Sequence, residues 1–248
     1  MKNIIITGAS GSLGSYFVKE YLNEGYFVIA LSRKKLKIKN ERLNSYIIDL
    51  SDKKKVESFY KTILKKKIKV DFILSCVGKS SFNNGENWNK SIKDNLLSNI
   101  YLVEEYVKIY NKFSKNTKIV LISSIAGIRA IKAPISYSIA KNALNYFCKL
   151  QAKNLSKRKI LINTISPGNI LIPGNIWDKK LKSNKFKTLS YINSNVPLKN
   201  FCKPNQIKEL CDYFFSESGN FITGSNFVID GGQTIIWLFL KKKISQAL

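Results

Sequence analysis

Short runs of apolar, β-branched residues alternate along this chain with longer amphipathic stretches, and that alternation leaves few folds open. Runs such as Ile4-Ile5-Ile6 and Ile119-Val120-Leu121-Ile122 are apolar without a break, as strands buried on both faces must be. The spacing predicts strands over Asn3–Thr7, Phe27–Leu31, Ser45–Ile48, Asp71–Ser75, Lys118–Ser123, Ile160–Ile165 and Asn226–Ile229. Between them it predicts helices over Ser12–Glu24, Lys53–Lys67, Trp88–Lys112, Ile135–Leu155 and Asn205–Ser216. Strands joined through helices pair in parallel, so the expected architecture is α/β: a doubly wound three-layer sandwich around a seven-stranded, mostly parallel sheet. No repeat, linker or compositional break divides the 248 residues, so residues 1–248 are expected to form one domain. Residues 169–195, with Pro173, Gly174 and many polar side chains, interrupt the rhythm and are expected to be a substrate-binding lid inserted in that domain.

What the chain lacks excludes several chemistries. With no His it can carry no Ser-His-Asp triad, no imidazole base and no His-ligated zinc, and no metal site is expected. Its four cysteines (Cys76, Cys148, Cys202 and Cys211) form no CxxC pair, which argues against a disulfide scaffold and for a reducing, cytoplasmic setting. The net charge of +26 rests on 38 Lys and only 4 Arg, alongside 25 Asn and 33 Ile. Surfaces that clamp phosphates and read bases lean on Arg, whereas Lys, Asn and Ile rising together match an AT-rich coding bias, so no nucleic-acid partner is expected. The apolar start is too short for a signal peptide, and Ile235–Leu240, ahead of three lysines, is too short to span a bilayer. That last run is expected to pack at a subunit contact.

The first predicted strand runs into Thr7-Gly8-Ala9-Ser10-Gly11-Ser12-Leu13-Gly14 and then a helix. A tight glycine turn there aims backbone N–H groups outward at a helix N-terminus, which suits a pyrophosphate and marks a Rossmann-type dinucleotide site. Dinucleotide choice is set at the end of the second strand, where an acid selects NAD and a base selects NADP. Here that strand ends in Ser32-Arg33-Lys34-Lys35 with no acid, so NADP(H) is favoured over NAD(H).

A candidate for proton transfer lies further on. Tyr137 and Lys141 are four residues apart, hence on one face of a helix, and no other Tyr of the chain has a Lys at that spacing. A phenol near pKa ~10 is a poor acid or base at neutral pH until an adjacent cation stabilises its anion. Ser124, 13 residues before Tyr137, ends a predicted strand, and strand C-termini line the ligand crevice of such a sheet.

In these features the chain resembles the short-chain dehydrogenase/reductase family over about Lys2 to Gly232. The family's Ser, Tyr and Lys fall on Ser124, Tyr137 and Lys141, and its Trp seven residues before an active-site Asn falls on Trp88 and Asn95. Its adenine-contacting Asp matches Asp49 in Ile48-Asp49-Leu50, its Pro-Gly matches Pro167-Gly168, and its closing signature matches Ile222-Thr223-Gly224 through Asp230-Gly231-Gly232. Three departures stand out. Glycines at 8, 11 and 14 resemble the family's extended branch; Ser75-Cys76-Val77-Gly78 replaces an Asn-Asn-Ala-Gly; and Ile172 replaces a Thr that holds the nicotinamide carboxamide.

The resemblance implies a reductase in which a nicotinamide delivers hydride to a carbonyl while Tyr137 donates the proton. Ser124 would then hold the carbonyl oxygen, Lys141 would lower the Tyr137 pKa and bind the nicotinamide ribose, and Asn95 would shape its helix and hold a relay water. The implied cofactor contacts are Gly8, Ser10, Gly11, Ser12, Leu13, Gly14, Arg33, Lys34, Asp49, Leu50, Val77, Gly78, Tyr137, Lys141, Pro167, Gly168 and Ile170. The substrate is a small-molecule ketone or secondary alcohol, 3-oxoacyl among the candidates, with Lys115 and Arg158 near where such reductases meet an acyl carrier. Two other readings stay open: a nucleotide-sugar or polysaccharide-modifying ketoreductase, epimerase or dehydratase, and a non-catalytic NADP sensor. A homodimer or homotetramer is implied, with Thr234–Leu248 as a contact.

Overall fold

The computed structural model describes residues 1–80, 87–110 and 116–235. The expectations for Lys112, Lys115 and the C-terminal run beyond 235 lie outside the described residues.

Seven strands form one sheet: β1 (Asn3–Thr7), β2 (Phe27–Ser32), β3 (Leu43–Ile47), β4 (Phe72–Ser75), β5 (Lys118–Ile122), β6 (Leu161–Pro167) and β7 (Asn226–Ile229). Their order is β3-β2-β1-β4-β5-β6-β7, and every neighbouring pair is parallel. Helices α1 (Ser12–Asn23) and α8 (Pro204–Phe215) cover one face; α2 (Lys53–Lys65), α4 (Ser98–Ile109) and α5 (Ile135–Leu155) cover the other. The unbroken apolar strands explain the two cores. Ile5, Ile29, Ile73, Ile119 and Ile162 point to α2, α4 and α5, while Ile4, Ile6, Val28, Leu74 and Val120 point to α1 and α8. Successive strand residues face opposite sides, so each strand feeds both layers. Cys148 and Cys211 are buried, one in each core, and all four thiols are free. Among the described residues no helix is long and apolar enough to cross a membrane.

Two segments differ from expectation. The predicted helix Trp88–Lys112 is not one α-helix: α3 (Trp88–Ile92) and α4 are joined through a π-helical turn at Lys93–Leu97. Residues 169–195, expected as a lid insertion with no element predicted in it, are largely helical, as α6 (Ile176–Ser183) and α7 (Lys185–Asn195). Asn175 and Asn184 cap these helices, each side chain accepting from backbone N–H groups of the first turn. The pair closes over a small apolar cluster in which Trp177 stacks on Tyr191 at 5.5 Å and meets Phe201 edge-on at 5.6 Å.

An all-parallel sheet sends its strand C-termini to one edge. The order reverses between β1 and β4, and that switch point is where the loops after the two strands part to leave a crevice.

Candidate active site

The loops following β1, β2, β3 and β4 enclose a cleft of about 730 Å³ at that edge. A second hollow of about 240 Å³ continues from it along the ends of β5 and β6. Both share Gly8, Gly11, Ser12, Cys76, Val77 and Gly78 as walls, so they form one groove across the switch point.

The glycine turn is the floor. Gly8 has φ +63°, and a Cβ there would sit 2.7 Å from the Cys76 carbonyl oxygen, so only glycine lets the β1 and β4 loops meet. Gly11 stands at the N-cap of α1 and brings no side chain to satisfy the first-turn N–H groups. Those donors have no partner within the helix and are free for an anion in the groove. Ser10 and Ser12 line the larger cleft, and Leu13 and Gly14 line the smaller hollow.

The far end of the cleft carries charge. Arg33 and Lys34 line it beside Asp49 and Leu50, and the Ser32 hydroxyl donates to the Lys34 carbonyl, holding the turn. Asp49 accepts hydrogen bonds from the Ser51 backbone at 3.0 Å and the Ser51 hydroxyl at 2.8 Å. Burial pushes its carboxyl up, but those two bonds, with Arg33 and Lys55 nearby, hold it below the usual carboxylate range. The β2 end has no acid in sequence, yet folding supplies one: Asp94, from the π-helical turn, lies 3.3 Å from the Arg33 guanidinium and lines the same cleft.

At the other end, Ser124, Tyr137, Lys141, Pro167, Gly168 and Ile170 wall the smaller hollow. Ser124 caps the 3₁₀ turn Ile125–Gly127, its hydroxyl accepting from Ala126 N–H at 3.2 Å, and so stands rigidly at the end of β5. The Tyr137 ring is partly exposed. Burial of its hydroxyl raises its pKa, and the hydrogen bond it shares with the Ser124 hydroxyl pulls the other way. Lys141 is 2% exposed, and its ammonium donates to the Ile122 carbonyl at 2.8 Å. Burial pushes its pKa down from 10.5 to about 8. Its Nζ lies 5.9 Å from the Tyr137 ring centre. The resemblance gives Lys141 the part of lowering the Tyr137 pKa; in the structure the net direction is upward. Desolvation of the hydroxyl dominates, and the nearby ammonium is turned toward a backbone carbonyl.

Asn95 is buried one layer behind the groove wall. Its Oδ1 accepts from Lys79 N–H at 2.8 Å, and its Nδ2 donates to the Ser91 carbonyl at 3.0 Å and the Lys79 carbonyl at 3.2 Å. Its backbone carbonyl accepts from Asn99 Nδ2 at 3.1 Å; Asn99 in turn accepts from Ser75, which pairs with Thr7. Asn95 thus clamps the loop after β4 rather than presenting free polar atoms to the groove. Gly78 completes the packing: with φ +142°, a Cβ there would lie 2.8 Å from both Asn95 Oδ1 and Lys141 Nζ.

Every residue expected at the cofactor site lines one part of the groove. Sequence reasoning missed Asp94, and within 169–195 it did not single out Asn175, Ile176 and Lys179, which line the larger cleft with Gly174. Ile172 is buried and turned from the groove, while Ile170 takes the wall position and its carbonyl accepts from the Asn175 side-chain amide. Arg158 is occupied: it donates to the Val107 carbonyl at 2.8 Å and stacks over Tyr110. The closing signature is structural, since Thr223 and Gly224 tie to Ile162 and Asp230 caps the turn that follows.

Known proteins share this chain's sequence pattern and fold. The family model described as enoyl-(acyl carrier protein) reductase matches residues 8–234. A 3-oxoacyl-[acyl-carrier-protein] reductase of Buchnera aphidicola is 27% identical, covering 93% of this chain and 96% of its own. A 4-hydroxyisoleucine dehydrogenase solved with NADH is 29% identical with a TM-score of 0.83, covering 94% of this chain and 99% of its own. ElxO, solved with NADP bound, is 26% identical with a TM-score of 0.84, covering 94% of this chain and 98% of its own. With a glycine turn that fits a dinucleotide pyrophosphate and a Ser–Tyr–Lys group at the far end of the same groove, this chain belongs to the short-chain dehydrogenase/reductase family, the oxidoreductases that act on alcohols and carbonyls.

Proposed function

We propose that this protein is a reductase that interconverts a ketone and a secondary alcohol, using NADP(H) in preference to NAD(H). The observation that carries this reading is the meeting of Ser124, Tyr137 and Lys141 on one wall of a hollow continuous with the dinucleotide cleft. The bare N–H groups of α1 and the glycine walls would hold the pyrophosphate, Asp49 and Leu50 the adenosine, and Pro167, Gly168 and Ile170 the nicotinamide side. When bound, the dinucleotide supplies the hydride or takes it back.

The protein's part is the proton and its charge. Tyr137, its pKa raised by burial, keeps its proton at neutral pH and donates it from the hydroxyl to the carbonyl oxygen. Ser124 donates to the same oxygen as negative charge develops there. Lys141, which titrates near 8, is mostly charged at neutral pH and steadies the phenolate left behind. Asn95 and Gly78 act as positioning residues, one clamping the β4 loop and the other leaving room for the ammonium. The helices α6 and α7 serve as a lid whose aromatic cluster keeps it stiff.

The preference for NADP(H) rests on Arg33 and Lys34 at the adenosine end. Among carbonyls, 3-oxoacyl thioesters stand first, by likeness to the Buchnera enzyme. A carrier-linked substrate draws no support from Arg158, which is held against α4. A homodimer or homotetramer is favoured by α5, where Ile135, Ile139, Tyr146 and Leu150 form one exposed apolar stripe.

A panel of ketones and 3-oxoacyl thioesters, run with NADPH deuterated at the transferring carbon, tests the reading. The expected product is a secondary alcohol carrying deuterium on the former carbonyl carbon. An absence of turnover across the panel, with the dinucleotide bound, would instead favour a sensor.

A further inference from the structure

We propose that Asp94 is a specificity-determining residue: by pairing with Arg33 it withholds that guanidinium from a 2′-phosphate and narrows the margin between the two nicotinamide dinucleotides. The inference rests on the reading above, in which the cleft by Arg33 and Asp49 receives the adenosine end.

Three observations carry it. First, the pair is built from elements 61 residues apart, the end of β2 and the π-helical turn, and both side chains line the same cleft. Second, Asp94 is the sheltered partner: its side chain is 15% exposed against 53% for Arg33. Its other oxygen is 3.2 Å from Lys90, so the carboxylate is held in place while the guanidinium retains reach into the cleft. Third, Asp49 lines the same cleft and feels the charge of Arg33 without pairing with it, so the ion pair to Asp94 is the contact that engages the guanidinium.

A 2′-phosphate seeking Arg33 must therefore approach Asp94 as well. It meets like charge and competes for donors already engaged. A bare ribose 2′-hydroxyl suffers neither penalty, because a carboxylate can accept its hydrogen bond. Asp94 thus lowers affinity for the phosphorylated dinucleotide and spares the other. A surface ion pair elsewhere would matter little, but this one stands where a competing anion arrives.

The test is direct binding, read from nucleotide fluorescence on titrating the full chain with NADPH and with NADH. Five proteins are compared: the parent, Asp94→Asn, Arg33→Gln, the double variant of these two, and Asp94→Ser as a second removal of the charge. Asp94→Asn is expected to tighten NADPH about fivefold while NADH stays within about twofold, and the gain should vanish when Arg33 is Gln. An unchanged NADPH-to-NADH ratio in both Asp94 variants, weaker NADPH binding, or a gain that survives Arg33→Gln would overturn the proposal. The parent's own ratio answers a separate question. A parent that binds NADH more tightly refutes the NADP(H) preference, yet Asp94→Asn must still shift the ratio toward NADPH.

Discussion

Replacing Lys141 by Met should abolish turnover and, at neutral pH, make the protein more stable. Burial lowers the lysine's pKa from 10.5 to about 8, which corresponds to about 3 kcal/mol of cost for carrying its charge in the fold at pH 7. Methionine has nearly the same length and no charge, so the variant escapes that cost. Against it, the carbonyls of Ile122 and Val77 lose a donor, worth about 1–2 kcal/mol. The net expectation at pH 7 is a gain of about 1–2 kcal/mol. The pH dependence is the sharper signature. Below about 8 the native lysine is charged and the penalty is full; between about 8 and 10.5 the unfolded chain binds the proton that the native one has lost. Parental stability therefore rises with pH across that window, by about 3 kcal/mol in all, relative to a variant that lacks the group. Urea unfolding of both proteins at pH 7 and pH 10 measures the difference, and other titrating groups cancel in it. The ranking should reverse, the variant being more stable at pH 7 and less stable at pH 10. A gap that stays constant across that range would refute the account of Lys141 as a buried ammonium.

Other expectations follow from the same groove. Gly78→Ala places a methyl 2.8 Å from Asn95 Oδ1 and Lys141 Nζ at φ +142°, so it should cost about 1–3 kcal/mol in thermal or urea unfolding. By displacing the ammonium it should also lower kcat by about tenfold or more. Arg33→Gln should raise the KM for NADPH several-fold and leave that for NADH nearly unchanged, as steady-state kinetics with each dinucleotide would record. Trp177→Ala removes the ring that stacks on Tyr191 and meets Phe201 edge-on, and should cost about 1–2 kcal/mol locally. Faster proteolytic nicking within 169–195 and a higher substrate KM, with dinucleotide affinity retained, are the readouts.

Much of this was legible before any coordinates. The apolar runs marked strands within a residue or two, because strands buried on both faces cannot hide their composition. Ser124, Tyr137 and Lys141 were legible because strand ends and helix spacing are local, and local geometry carries over from sequence. What stayed hidden is what depends on long-range packing. The π-helical turn at Lys93–Leu97 leaves no mark in an amphipathic pattern. It forms where Asn95 spends its side chain on the Lys79 backbone. Asp94 was invisible as a site residue for the same reason, although it directly precedes the expected Asn95. The order of its neighbours in the chain does not say that β2 ends beside it. Trp177 and Tyr191 were placed in the lid by sequence, but only the packing shows them turned onto each other. The pKa of Tyr137 likewise depends on burial, which spacing to Lys141 does not reveal.

The central claim is that Tyr137 supplies the proton. The most direct measurement is ketone reduction by Tyr137→Phe, followed by loss of NADPH absorbance, with nucleotide affinity measured on the same preparation. The phenyl ring keeps the packing and removes only the hydroxyl. The account predicts that turnover falls by at least about 10²-fold while NADPH binds as in the parent. Turnover retained near the parental rate would contradict it.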